Sequence, residues 1–243
     1  QKSPFITWRS VGRFASVDAA RINASRADIV NLHWVTDGFL SVEEIGRITK
    51  PIVWTMHDMW TITGTEHYAD ENESETRWRE GYTRANRPSS DRGIDLDRWT
   101  WVRKQKHWSR PIHLVPVSQW LQRCAQASAL AGAWPSTVIP NVVDTSVFSP
   151  GDRAASRAAL GLPDIPIIAF TSSAGISDER KGWELLEQAL PQVREAHPHA
   201  QVMVIGQSHA EDRAKAPDGI IWIGHVSDDA HMTQLICAAD VVA

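Results

Sequence analysis

Apolar residues gather along the chain in short runs, and the spacing of those runs sets the expected architecture. The runs are rich in Val and Ile: ADIVNLHW (27–34), PIVWTMHD (51–58), IHLVPVS (112–118), STVIPNV (136–142), IPIIAFTSS (165–173), QVMVIGQS (201–208) and GIIWIGHVS (219–227). They are apolar at successive rather than alternate positions, which suits strands buried on both faces of a parallel sheet. Between them the pattern turns helical. Residues 40–48 follow Asp37 as a candidate cap and carry Glu43 and Glu44 early, while 119–130 follow Ser118. In 183–196, Trp183, Leu186, Leu190 and Val193 fall on one stripe, and 228–239 follow Ser227 with two aspartates in the first turn.

Strand alternating with helix predicts an α/β fold, doubly wound. The stretch 144–166 is polar and punctuated by proline before a fresh strand begins, which places a boundary near Pro150. The expectation is therefore two Rossmann-like domains, 1–150 and an incomplete 151–243, with a cleft between them. Residues 69–108 break the alternation, being polar yet holding Trp78, Trp99, Trp101 and Trp108. That combination predicts an inserted loop and then an amphipathic helix from about Asp95, ending in the basic cluster Arg103, Lys104 and Lys106. Such a cluster reads either as a solvated face or as a contact for anionic lipid or an acidic acceptor.

Composition narrows the classes. With 243 residues, 42% of them apolar, the chain can build one large core or two smaller ones. A formal charge of −4 supplies no basic field to recruit nucleic acid. Cys124 and Cys237 stand far apart in helical patterns, so neither a disulfide framework nor a cysteine metal cluster is expected, and a reducing cytoplasmic setting fits. No run approaches the roughly 20 apolar residues of a spanning helix. The chain opens on Gln1 and ends in AADVVA, where a helix turns into an apolar strand, so it reads as a fragment.

Ligands of open α/β sheets bind beyond the carboxyl ends of the strands. The strand 51–55 delivers His57 and Asp58 to such an edge, where an imidazole can meet a substrate hydroxyl and the carboxylate can orient it or cap the next turn. On residues alone this pair reads equally as a satisfied turn. Arg180 and Lys181 in SDERKGWELL stand at a helix start, which is either a seat for a diphosphate or a solvated first turn. The glycines of a phosphate-binding P-loop are missing there. Asp95 and Asp97 open the tryptophan-rich helix, where acidic residues have a structural cause, and the histidines show no zinc spacing, so no metal site is assigned.

The segment TMHDMWTITGTEHY (55–68) closely resembles "tlHDmWpfTGgCHY" of the retaining, GT-B type sugar transferases of glycosyltransferase family 4 from bacterial exopolysaccharide and colanic-acid-type pathways. ADIVNLHWV (27–35), KPIVWT (50–55), LVPVSQWLQRCAQAS (114–128), VIPNVVDTSVFSP (138–150) and RKGWELLEQAL (180–190) follow in family order. The resemblance implies a two-domain enzyme that moves a sugar from a UDP- or GDP-linked donor to a glycan or lipid-linked acceptor, at the cytoplasmic face of the inner membrane and in peripheral contact with it. It implies that His57 reaches the donor sugar with Asp58 as support. Lys181, assisted by Arg180, grips the diphosphate, while Thr63, Gly64 and His67 shape the acceptor side. No metal and no cofactor are then required.

The departures are specific. Glu66 stands where relatives carry a cysteine, and Val142 replaces the glycine of a "PNGvD" loop. The family's glycine-rich N-terminal loop and its E-x7-E glutamates fall outside the chain, so the resemblance implies a fragment inactive alone. The competing readings are a non-catalytic scaffold of the same fold and a sugar-nucleotide epimerase or hydrolase.

Overall fold

A computed structural model describes residues 9–69, 76–172, 176, 181–208 and 210–243. The described elements run α1 (Ala19–Ala24), β1 (Val30–Leu32), α2 (Val42–Arg47), β2 (Ile52–Met56), α3 (Arg77–Glu80), α4 (Leu96–His107), β3 (His113–Pro116) and α5 (Gln119–Ala127). They continue with α6 (Arg153–Leu160), β4 (Ile167–Thr171), α7 (Trp183–Ala196), β5 (Gln201–Ile205), α8 (Ala210–Lys215), β6 (Ile220–Gly224), α9 (Asp229–Ala238) and β7 (Val241–Val242). The chain divides into two compact units, Gln1–Asn141 and Val142–Ala243, so the division falls ahead of Pro150. The expected α/β fold with parallel sheets is the one observed.

In the first unit β2 lies between β1 and β3, parallel to both, with Val30 opposite Ile52 and Val53 opposite His113. Leu32, Trp54, Met56 and Leu114 of these strands meet Val42 and Ile45 of α2, Trp101 of α4 and Leu121 and Cys124 of α5 in one core. Helix α2 is capped by Ser41, whose hydroxyl accepts from Glu44 N. The expected cap Asp37 instead takes a left-handed turn at φ 59°, one step before Gly38 at φ 81°. STVIPNV forms no named strand. Leu114 N donates to Pro135 O and Thr137 N to Leu114 O, so the segment lies along the edge of β3. Pro116 of β3, the next residue in turn to donate after Leu114, has no N–H to extend that ladder. Val142 is exposed and its φ is not positive.

In the second unit the parallel order is β6-β5-β4-β7, which reverses between β4 and β7 as a doubly wound sheet does. Alternate residues serve alternate faces. Phe170, Val202 and Val204 pack with Trp183 and Leu190 of α7, while Ile167, Ala169, Met203 and Ile205 pack with Leu235 of α9. That division is why these strands read as unbroken apolar runs. Asp240 fastens β7, accepting from Ile167 N at 2.8 Å and from Arg157 at 2.6 Å. Helix α9 begins one residue later than expected, with Asp228 and not Ser227 capping His231 N.

Helix α4 starts where the sequence placed it, with Asp95 accepting from Arg98 N, but its polarity is inverted. Arg103 and Lys104 are buried at 8% and 0% exposure, whereas Leu96, Trp99 and Val102 are open to solvent. The expected basic face is thus reduced to Lys106, and the reason is a set of acceptors that only the folded chain assembles around the other two cations.

Candidate functional site

Beyond Met56 the chain bends, leaving His57 exposed and Asp58 buried. The hydrogen bonds of Asp58 go to the loop that follows it. Its Oδ1 accepts from Trp60 N at 2.9 Å, capping the turn, and its Oδ2 lies 2.5 Å from Nδ1 of His67. The Nε2 of His67 sits 2.9 Å from Ser10 Oγ. The indole N–H of Trp34 also points to Nδ1 of that ring, at 3.3 Å.

The remainder of TITGTEHY is folded inward. Thr63 is fully buried and its hydroxyl donates to Met59 O at 3.0 Å. Gly64 faces the first turn of α4 so closely that a Cβ there would lie 2.6 Å from Asp97 O. His67 is 2% exposed. These residues build the loop from within and offer little of their own surface.

A charged layer missing from the sequence reading holds the loop. The Lys104 ammonium donates to Trp60 O, to Thr63 O at 3.1 Å and to Gly64 O at 2.9 Å, and stands 3.8 Å from the Trp60 ring centre. Burial pushes its pKa well below the ordinary lysine value, with Glu66 and Asp58 pulling the other way. Arg103 pairs with Glu43 and donates to Val11 O and Gly12 O, both at 2.7 Å. Through that hydrogen bond Glu43 is lowered to about 2. Asp97 accepts from Arg9 at 2.7 Å and from the Thr65 hydroxyl. Glu66 accepts from Tyr82 Oη at 3.1 Å, and burial, followed by the nearby charge of Asp97, raises its carboxyl to about 7.

On the open side of the loop, His57 Nε2 lies 3.0 Å from His33 Nδ1, and the two rings meet edge to edge with centres 5.3 Å apart and planes 28° from parallel. His33 comes from the chain leaving β1, the neighbouring strand end. The carboxyl-edge rule applies to NLHW as much as to TMHD, and that was the available signal for it. Trp34 is 46% exposed and its ring lies 5.7 Å from that of His67. A small cavity lined by Trp34, Thr36, Thr55, His57, Asp58 and Thr61 adjoins His57. The buried Thr36 hydroxyl has no hydrogen-bond partner among the described residues, so it is left for a water or a ligand.

In the second unit Lys181 is exposed and directly precedes Gly182, the cap of α7 at φ 78°, where no side chain caps the helix. A cation therefore stands beside the N-terminus of a 14-residue helix, an arrangement that favours anions. Arg180 lies outside the described residues. Among the described residues no group of three or more His, Cys, Asp or Glu could hold a metal ion, and no helix is long and apolar enough to cross a membrane.

With this geometry in hand, the chain can be set beside known proteins. Its fold is that of solved sucrose-phosphate synthase from Thermosynechococcus elongatus, matched with a TM-score of 0.57 over 92% of this chain and 51% of that one at 17% identity. In sequence it is similar to D-inositol 3-phosphate glycosyltransferase of Segniliparus rotundus, 34% identical over 119 residues, which are 44% of this chain and 25% of the relative. It is also similar to GDP-mannose-dependent monoacylated alpha-(1-6)-phosphatidylinositol monomannoside mannosyltransferase of Corynebacterium glutamicum, 33% identical over 114 residues, 43% of this chain and 29% of the relative. The matches thus span between a quarter and a third of those curated relatives. No family model matches the chain.

Proposed function

We propose that this chain is part of a retaining sugar transferase that takes a sugar from a UDP- or GDP-linked donor and places it on a glycan or lipid-linked acceptor. The observation that carries the reading is the likeness to two sugar transferases, 34% and 33% identical over more than a hundred residues each. In this reading His57 meets the donor sugar from the carboxyl end of β2. Lys181 and Arg180 hold the diphosphate at the start of α7. A retained cation and free helix N–H groups stabilise charge that accumulates on the departing diphosphate, which is electrostatic catalysis without a required metal. The Asp58–His67 pair and Lys104 keep the His57 loop in one shape, because a displacement of even about 1 Å at a reacting group can cost around a hundredfold in rate.

The acceptor belongs to bacterial surface polysaccharide or glycolipid synthesis at the cytoplasmic face of the inner membrane, with peripheral contact through the apolar face of α4. The test is transfer by the full-length protein from GDP-mannose or UDP-glucose to inositol-bearing and polyprenyl-linked acceptors. His57→Ala and Lys181→Ala are each expected to abolish transfer while far-UV circular dichroism stays unchanged. Undiminished transfer in both variants would remove the site assignment, and no transfer or donor hydrolysis by the parent with any nucleotide sugar would remove the reading.

A further inference from the structure

His57 and His33 are joined to two further polar side chains, and the orientation of the Asn31 amide sets where each proton sits. The Thr55 hydroxyl donates to Asn31 Oδ1 at 3.3 Å, and Asn31 Nδ2 lies 3.1 Å from His33 Nε2. An amide nitrogen only donates, so His33 Nε2 must accept. A neutral imidazole that accepts at one nitrogen carries its proton on the other, which places a hydrogen on His33 Nδ1. That nitrogen is 3.0 Å from His57 Nε2, so the latter accepts in turn and His57 is left with its own proton on Nδ1.

We propose that His33 is the positioning residue for His57: the chain Thr55–Asn31–His33 locks His57 as the Nδ1–H tautomer, so that it offers substrate a hydrogen-bond donor and never a lone pair. With their centres 5.3 Å apart and their planes 28° from parallel, the two rings meet edge to edge, which holds the plane of that donor as well as its tautomer. The consequence is chemical. With Nε2 engaged by His33 and Nδ1 protonated, neutral His57 has no free basic nitrogen with which to deprotonate an acceptor hydroxyl. It acts by donating to an oxygen of the sugar or to the charge developing there, and the base that activates the acceptor must come from another group. The tautomer stands on the Asn31 amide presenting its nitrogen to His33, and only its use on a sugar rests on the sugar-transferase reading.

Histidine-selective 15N labelling and long-range 1H–15N spectra of the 243-residue chain read the tautomer directly. The His57 signals are assigned by their loss in His57→Gln. Wild type is expected to show His57 protonated at Nδ1. His33→Leu removes the donor and should return His57 toward the Nε2–H form that free imidazole side chains prefer. His33→Asn, whose amide N–H can occupy the place of Nδ1, should retain the Nδ1–H form. Asn31→Leu, one link upstream, should loosen the preference without touching either ring. All four side chains lie at or near the surface, so the variants are expected to fold. An Nε2–H His57 in wild type, or an unchanged His57 signal in His33→Leu, overturns the proposal.

In the transfer assay His33→Leu should lower kcat by roughly tenfold with donor KM unchanged, and His33→Asn should recover most of it. Unchanged kcat in His33→Leu would overturn the catalytic use while leaving the tautomer standing. Absence of transfer in wild type would fall on the proposed function and not on the spectra.

Discussion

At the residue scale, the ionisable groups that matter most to this fold are the ones beneath the His57 loop. Glu66 has a folded-state value of about 7 against an ordinary 4.5, raised first by burial and then by Asp97. A group whose folded value is raised contributes stability that is complete below about pH 4.5 and is lost as pH climbs through about 7. Glu66→Gln keeps an acceptor for Tyr82 and cannot ionise. It should match wild type in urea denaturation near pH 4 and exceed it by about 1–3 kcal/mol near pH 8. A difference that does not change with pH would place the ionisation elsewhere. Lys104 gives a larger effect. Were it a solvated helix residue, its removal would cost under about 0.5 kcal/mol. With three buried carbonyls left unpaired, Lys104→Met should cost about 3 kcal/mol or more in the same measurement. The sequence shows a Lys in a basic cluster and cannot show this, since its acceptors lie some forty residues upstream. For a similar reason the partners of Asp58 could not be read from its place beside His57: one of them, His67, lies nine residues downstream.

At the element scale, α4 is the piece on which the site rests, and it docks through two glycines. A Cβ on Gly64 would meet Asp97 O at 2.6 Å near the helix start, and one on Gly46 would meet His107 O at 2.4 Å at the helix end. Both obstacles are backbone, which cannot rotate away, so Gly64→Ala or Gly46→Ala should lower the thermal midpoint and cost about 2–3 kcal/mol by forcing the helix off its seat. Gly64 was read as an acceptor-side residue; its contacts give it a packing reason to be glycine. The outward face of α4 carries Leu96, Trp99 and Val102, with Lys106 beside them. Under the proposed membrane contact, the chain should sediment with phosphatidylglycerol vesicles and not with phosphatidylcholine ones, and Trp99→Glu should reduce the bound fraction at least several-fold. Equal recovery of parent and variant would remove that contact. The start of α4 was legible from Asp95 because a cap is a local device. Which side of it faces inward was not, because Glu43, Trp60 and Thr63 decide that from a distance.

At the scale of the whole molecule, the parallel sheets were legible because burial on both faces leaves a direct mark, unbroken apolar runs such as PIIAF and QVMVI. The edge segment STVIPNV carries the same mark without becoming a strand, since composition records burial and not hydrogen-bond geometry. The two units also separate the roles given to His57 and Lys181, and nucleotide affinity tells those roles apart. A nucleoside diphosphate has the phosphates that Lys181 is proposed to grip and lacks the sugar that His57 is proposed to meet. Calorimetry of the full-length protein with GDP and UDP should therefore show Lys181→Ala weakening the preferred nucleotide by about tenfold, the scale of one cation–phosphate contact beside a helix N-terminus. His57→Ala should bind that nucleotide as the parent does, although it transfers no sugar. Loss of nucleotide affinity in His57→Ala would move this histidine from the sugar to the phosphates. Unaltered affinity in Lys181→Ala would return the start of α7 to the solvated turn that its spacing alone suggests.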